Sequence, residues 1–180
     1  MTETSRIRAL LARLSRFDAA DGWRGDLNPA QRTALDYLSR ANRFSRAPSR
    51  VAEYLGTTRG TASQTLKALM RKGYVEESPV VGDKRSIHYA LTPAGRDVVQ
   101  GKAGLETALE ALSPRERAAL GTGLEVLLAQ VIAQNGARPF GLCRTCRHHL
   151  PGDTGGHCAL LDAALTMRET YEICHEHAPA

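Results

Sequence analysis

Residues 1–142 of this 180-residue chain contain no cysteine, and aromatic residues make up only 5% of the sequence. No apolar run approaches the roughly 18 residues that a membrane-spanning helix needs. Residues 1–17 lack the unbroken apolar core and the small-residue cleavage site of a secretory signal, and Glu3 disfavours an organelle presequence. We therefore expect a cytoplasmic protein with no membrane partner.

Patterns that support hydrolytic or group-transfer chemistry are missing as well. The sequence has no Ser–His–Asp arrangement, no glycine-rich phosphate loop and no paired carboxylates at catalytic spacing. We therefore expect that the protein is not an enzyme.

Basic side chains outnumber acidic ones by 24 to 19, which gives a net charge of +5 and a pI near 9.3. Such a balance suits a polyanionic partner, most simply nucleic acid. The hydrophobic content of 42% is sufficient for a packed core. A chain of this length holds one ordinary domain and a small appendix.

Helix signals recur from the N-terminus to about position 135. Residues 1–17 carry apolar side chains at amphipathic spacing, and a loop is expected over 19–27. Capping boxes with proline at the first helical position start helices at Asn28–Gln31 and at Ser113–Glu116. A further helix is predicted over 93–112, in which Gly101 and Gly104 weaken the helix and allow a kink.

Two short helices joined by a glycine-containing turn occupy the middle of the chain. The first is predicted over 48–55, the turn over 56–58 and the second helix over 59–72. This arrangement is typical of a helix-turn-helix. A hairpin expected directly after it, with strands over 74–77 and 86–91 and a turn over 80–85, is typical of a wing.

Five short motifs follow one another in a recognisable order: Pro29-Ala30-Gln31, Val51 to Gly56, Leu69 to Val75, Asp83-Lys84-Arg85 and Leu91-Thr92-Pro93-Ala94-Gly95. On these motifs the stretch 28–95 resembles the MarR family of bacterial winged-helix regulators, and with its flanking helices the resemblance covers about residues 4–135. It implies a homodimer in which the N-terminal helix and the last two helices pack across a two-fold axis. It also implies a double-stranded DNA operator as the partner.

The resemblance places one helix of the helix-turn-helix in the major groove. Gln64 suits a bidentate contact to adenine, and Arg59 suits guanine or phosphate. Gly60 and Ala62 depart from the family pattern, which leaves the base contacts open. The family often binds small aromatic or phenolic acids, so a small-molecule effector is a further expected partner. The DNA-contacting residues that the resemblance implies are Arg59, Thr61, Ser63, Gln64, Lys67, Lys84 and Arg85.

All four cysteines lie close to the C-terminal end of the chain, as Cys143, Cys146, Cys158 and Cys174. One C-x-x-C pair and two later cysteines complete a four-thiolate metal site. A segment with so few apolar residues needs such a staple to fold. Structural zinc sites usually bring two C-x-x-C pairs, whereas the present layout resembles small iron–sulfur modules, including high-potential iron–sulfur proteins. We therefore favour a 4Fe-4S cluster as the cofactor, with Zn²⁺ as the alternative.

Other interpretations of the cysteines remain open. Four unligated thiols on a loose tail would need no cofactor. A thioredoxin-like redox pair at Cys143 and Cys146 would leave Cys158 and Cys174 unexplained. Mixed Cys and His ligation is also conceivable, since five histidines lie close by: His148, His149, His157, His175 and His177.

The predicted fold is mainly α with a small β wing: a winged helix-turn-helix, a helical dimerisation region and a small Cys-rich C-terminal module. The leading functional hypothesis is a homodimeric DNA-binding regulator whose C-terminal cluster senses redox, oxygen or iron status by biasing the dimer geometry. One alternative is the same regulator with structural zinc and an organic effector, and another is a redox or electron-transfer protein. The predicted units are a dimerisation helix over 1–27, the DNA-binding domain over 28–95, dimerisation helices over 96–137 and the cysteine module over 138–180.

Overall fold

The computed structural model describes residues 1–21, 25–80, 83–100 and 104–180, without the side chains of 79, 80 and 83–86. The described chain is mainly helical, with one hairpin and a small β-rich C-terminal part, which confirms the predicted fold class. The helices are α1 (Glu3–Asp21), α2 (Pro29–Arg40), α3 (Pro48–Tyr54), α4 (Arg59–Arg71), α5 (Pro93–Gln100), α6 (Gly104–Ala111), α7 (Pro114–Gln134) and α8 (Met167–Thr170). The strands are β1 (Val75–Val80), β2 (Asp83–Leu91), β3 (Gly141–Leu142), β4 (His149–Gly152), β5 (Gly155–Cys158), β6 (Ala163–Thr166) and β7 (Ile173–Cys174).

Both predicted capping boxes are present. The Asn28 side chain accepts a hydrogen bond from the Gln31 backbone N–H at 2.9 Å, and Gln31 Oε1 accepts from the Asn28 N–H at 3.2 Å. Ser113 and Glu116 make the same reciprocal pair at the start of α7. Each box satisfies two backbone donors that a helix start would otherwise leave unpaired.

Two element boundaries differ from the sequence-based prediction, and a third falls on residues outside the described part. Helix α1 continues to Asp21, into the predicted loop. The described parts of the helix expected over 93–112 are α5 and α6, and residues 101–103, where the kink was expected, lie outside the described part. The Asp21 carboxylate accepts the backbone N–H of Gly104 at 2.6 Å, so a tertiary contact marks the start of α6. The hairpin strands also extend into the predicted 80–85 turn.

The core of the head, which we define as residues 25–100, lies between α2, α3 and α4. Five fully buried aliphatic or aromatic side chains dominate it: Leu35, Tyr37, Leu38, Leu66 and Leu69. The hairpin joins this core through Val75, Tyr89 and Leu91. Among the described residues, no helix is long and apolar enough to cross a bilayer.

Gly95 in α5 is expected to be intolerant of any side chain. A Cβ at this position would stand 2.1 Å from the Tyr74 carbonyl oxygen, a rigid backbone atom. We expect Gly95→Ala to lower the free energy of unfolding by about 1–3 kcal/mol in urea denaturation, as overpacking generally does. The control is Gly60→Ala in α4, where the added Cβ meets only Thr58 Oγ1 at 3.8 Å. Equal stability of the two variants would contradict the prediction.

The C-terminal part, residues 138–180, forms the cysteine module. Strands β4, β5 and β6 make an antiparallel sheet, and β3 pairs with β7. The module contacts the head directly, because Ile173 forms a parallel bridge with Ala41 and belongs to the core of the head. Its described hydrogen bonds to the head reach residues 42–45, which lie between α2 and α3.

Candidate nucleic-acid interface and cysteine site

Helix α4 presents one face to the head and the opposite face to solvent. Ala62, Leu66 and Leu69 are completely buried, as their spacing predicted. Arg59, Thr61, Gln64 and Lys67 are exposed and Ser63 is half-buried, so five of the predicted DNA contacts lie on α4 outside its buried stripe. These side chains are therefore available to a large external partner.

Two details of α4 refine the predicted interface. The Thr61 hydroxyl is 2.9 Å from the Thr58 hydroxyl, and Thr58 Oγ1 accepts the Thr61 N–H at 3.1 Å. Thr61 therefore participates in the helix cap. Arg71 is exposed one helical turn after Lys67 and was not predicted, although its i+4 spacing would have identified it.

At residues 79, 80 and 83–86 the wing is described by its backbone alone. Lys84 and Arg85 lie in β2, and their side chains are outside the described part of the chain. The two strands pair from Val75↔Leu91 outward, with a bulge after Pro79. The wing therefore begins directly after α4. The predicted DNA contacts of Lys84 and Arg85 stay predictions.

The four cysteines are brought together. Cys143 starts a 3-10 turn that ends before Cys146, Cys158 ends β5, and Cys174 ends β7. All four line one narrow cavity of about 10 Å³, together with His148, His149, Leu160, Leu165 and Glu176. Within the described ranges, no group of three or more His, Cys, Asp or Glu side chains surrounds a single-ion position. The four cysteines thus line a common cavity, but among the described residues their side chains do not converge on the position of a single metal ion.

Two N–H groups donate hydrogen bonds to cysteine sulfurs. Asn42 Nδ2 donates to Cys143 Sγ at 3.2 Å, and the Ala178 backbone N–H donates to Cys146 Sγ at 3.4 Å. A hydrogen bond from the Cys143 thiol lowers the pKa of Cys174 to about 6 and raises the pKa of Cys143 itself. Donors of this kind stabilise thiolate, which is the form that binds metals. The donor set therefore fits a thiolate-bound metal centre.

The nearby histidines play different parts. His148 and His149 line the cavity, whereas His175 lies in a buried pocket beside Ser45, with Nδ1 and Oγ 3.2 Å apart. Burial lowers the pKa of His175. His177 contacts the Thr145 hydroxyl at 2.9 Å. The two C-terminal histidines therefore support the fold around the cysteines.

Part of the chain matches a known protein family, and its fold is shared by solved structures. Residues 25–86 match the family model described as MarR family. FabT of Streptococcus pneumoniae, solved in complex with DNA, is 26% identical with a TM-score of 0.57, and the match covers 73% of this chain and 99% of that one. The fold is that of the MarR winged helix-turn-helix. S. aureus MepR, also solved as a complex with DNA, shares it at 20% identity and a TM-score of 0.56, over 73% and 99% of the two chains. Apo wild-type MarR from E. coli shares it at 22% identity and a TM-score of 0.54, over 71% and 98%.

A search of curated proteins finds no match. The MarR-fold structures are covered almost completely, whereas more than a quarter of this chain has no counterpart in them. The family model itself ends well before the cysteines. These similar proteins therefore carry no information on the cysteine module.

Proposed function

We propose that this protein is a transcription regulator that binds double-stranded DNA with α4 in the major groove. The proposal rests on the exposed side of α4, whose opposite side is buried in the core of the head. The exposed side chains are Arg59, Gln64, Lys67 and Arg71. A rigidly held helix with basic and amide side chains reads base edges and neutralises phosphates. FabT and S. aureus MepR, which share the MarR fold, are solved with DNA.

The protein acts as a homodimer in this proposal. Helices α1 and α7 contain no buried residue in the single chain, although both carry long apolar stripes. Exposed apolar surface of this extent marks an interaction site. A second copy covers it and sets two α4 helices on successive major grooves. The exposed apolar side chains are Ile7, Leu10, Leu14 and Phe17 in α1, and Leu120, Leu124, Leu127, Leu128 and Val131 in α7.

Two substitutions in α4 separate phosphate binding from base recognition. We expect Lys67→Ala to weaken binding to all duplexes alike and to reduce the salt slope by about one. We expect Gln64→Ala to cost about 1–3 kcal/mol on the selected sequence alone, by relaxing preference at one base pair. The measurement is fluorescence anisotropy across salt, on a duplex selected by the wild-type protein from a random library and on a scrambled one.

The matched control for Lys67→Ala is Arg147→Ala, which removes an equal charge from an exposed site in the cysteine module. It should leave both affinities and the salt slope unchanged beyond the small effect of net charge. If Lys67→Ala behaves like Arg147→Ala, α4 is not the DNA-binding helix.

The cysteine module gives the regulator its signal in our proposal. Cys143, Cys146, Cys158 and Cys174 bind a metal centre whose loss or oxidation reports redox, oxygen or iron status. The layout of one C-x-x-C pair followed by two single cysteines favours a 4Fe-4S cluster. The narrow cavity favours the alternative, one Zn²⁺ on the same thiolates. Iron, sulfide and zinc analysis with an absorption spectrum, on protein purified without oxygen, decides between them.

A second candidate signal is a small organic anion. A cleft of about 460 Å³ lies between the head and the module and is lined by Leu38, Val99 and three arginines: Arg46, Arg96 and Arg168. Guanidinium groups beside apolar side chains suit an aromatic carboxylate. Under this alternative the metal is structural zinc, and salicylate-like acids change DNA affinity while metal removal unfolds the module alone.

A further inference from the structure

Asn42 connects the cysteine site to the DNA-binding head. It lies between α2 and α3, it is 0% exposed, and it bonds to the module through backbone and side chain. Its N–H donates to the Ile173 carbonyl at 2.9 Å, and its Nδ2 donates to Cys143 Sγ at 3.2 Å. A residue of the head therefore completes the surroundings of a cysteine 101 positions away.

The same side chain organises the next three residues, which form a 3-10 turn over 43–45. Asn42 Oδ1 accepts from the Phe44 N–H at 3.1 Å and from the Ser45 hydroxyl at 2.7 Å. Ser45 Oγ in turn accepts the backbone N–H of His175 at 2.9 Å. The turn is thus bonded to the module beside two of the four cysteines, Cys143 and Cys174.

From this turn the contacts continue to the DNA-binding elements. The Ser45 carbonyl accepts the Tyr37 hydroxyl at 2.7 Å, and the Arg46 carbonyl accepts the Tyr89 N–H of β2 at 3.0 Å. Helix α3 begins at Pro48 and packs against α4. A displacement of the turn therefore acts on the wing and, through α3, on α4.

Ion pairs reinforce the contact around Asn42. Three arginines of the head face three glutamates of the module: Arg43 with Glu169, Arg46 with Glu172 at 3.9 Å, and Arg50 with Glu176 at 4.0 Å. Because the glutamates flank β7 and its Cys174, the module cannot rearrange there without disturbing the arginines. The docking is therefore built into the fold rather than left to a flexible tail.

We infer that Asn42 is a positioning residue of the four-cysteine site, and that through the 43–45 turn it couples metal binding there to DNA affinity. This inference rests on the proposed metal centre. A hydrogen bond to an anionic metal-bound thiolate is charge-assisted and stronger than one to a neutral thiol. Metal binding therefore tightens the Asn42 contact, and metal loss loosens it. The coupling between the cysteine site and DNA therefore runs within one chain, to α3 and the wing. The sequence-based hypothesis had placed this coupling at the dimer helices.

The test is Asn42→Asp, which keeps the oxygen that accepts from Phe44 and Ser45 but replaces the N–H donor with a second oxygen. A second variant, Ser45→Ala, breaks the bond to His175 without touching a cysteine. The matched control is Asn28→Asp, an equal change at the cap of α2. Each protein is prepared with its metal and after chelation, and affinity for the selected duplex is measured in both states.

The wild-type ratio of metal-free to metal-loaded dissociation constants is expected at about 5–150-fold, the usual range of allosteric coupling. In Asn42→Asp the ratio approaches one, metal affinity measured by competition with a chelator falls about 10–100-fold, and any visible spectrum shifts. Ser45→Ala loses the coupling but retains the wild-type spectrum. Asn28→Asp retains all three properties.

Wild-type coupling in both Asn42→Asp and Ser45→Ala would overturn the inference while leaving the proposed function intact. If Asn42→Asp fails to fold, Ser45→Ala alone decides between the two results. A wild-type protein that holds neither iron nor zinc refutes the metal centre and the inference together. A wild-type protein that holds metal but binds no duplex refutes the proposed DNA function instead.

Discussion

Cys158→Ser is expected to remove the metal centre and to unfold the cysteine module while the head stays folded. Cys158 ends β5, where it pairs with His149 of β4 and Ala163 of β6. A four-thiolate centre that loses one ligand no longer closes its coordination sphere. Structural metal sites contribute apparent free energies of about 10–16 kcal/mol, so we expect metal content below about a tenth of the wild-type value.

Within the module itself, few apolar side chains are buried apart from the candidate metal ligands. Its own buried cluster consists of Cys143, Leu165 and Cys174, two of which are themselves candidate ligands. The head has its own core between α2, α3 and α4, to which the module supplies one buried residue, Ile173. Trypsin should therefore cut the variant rapidly at Arg144, Arg147 and Arg168 while residues 25–100 stay protected.

Metal analysis and limited proteolysis with mass spectrometry provide the measurements. Ala159→Ser is the matched control, because it introduces the same hydroxyl at the exposed neighbouring position. It should retain full metal and wild-type resistance. A Cys158→Ser protein with undiminished metal would show that Cys158 is not a ligand, and the four-thiolate centre would have to be abandoned.

Local chemistry made much of the fold predictable. The caps at Asn28 and Ser113 depend on side chains within three residues of each other, so the sequence displays both partners. The same holds for the buried stripe Ala62, Leu66 and Leu69, where helical spacing alone selects the face. These features need no knowledge of distant chain segments.

Apart from Arg71, whose spacing is local, the main features that were missed depend on long-range contacts. The contact of α1 with the start of α6 involves Asp21, which bonds to Gly104 across 83 positions. In the sequence Asn42 has no distinguishing feature, because its contact with Cys143 is formed only in the folded chain. All four cysteines line one cavity, but their spacing contained no signal that this part of the chain would dock on the residues between α2 and α3. The identity of the metal stays a prediction.

Leu124→Glu in α7 is expected to dissociate the proposed homodimer. Leu124 lies at the middle of the exposed apolar stripe of α7, and a second copy would bury it. An unpaired carboxylate in such an interface has a desolvation cost that the interface cannot recover. Size-exclusion chromatography with light scattering should show the mass falling from that of two 19.5 kDa chains to that of one.

DNA binding should fall with dimerisation. Two linked α4 helices bind a two-fold operator with an effective concentration that a single helix lacks, so the monomer should bind the selected duplex about 10²–10⁴-fold more weakly. Binding to scrambled DNA, which needs no second half-site, should fall far less. The difference between the two duplexes separates loss of the dimer from loss of the DNA-binding surface.

Val126→Glu is the matched control on the same helix. Val126 is exposed, but it lies on the face of α7 opposite the stripe that includes Leu120, Leu124, Leu127 and Val131. Neither substituted side chain is buried in the single chain, so folding of the monomer does not distinguish the two variants. If both variants remain dimeric with wild-type affinity, the stripe on α7 is not the dimer interface, and the spacing of the two α4 helices must be set elsewhere.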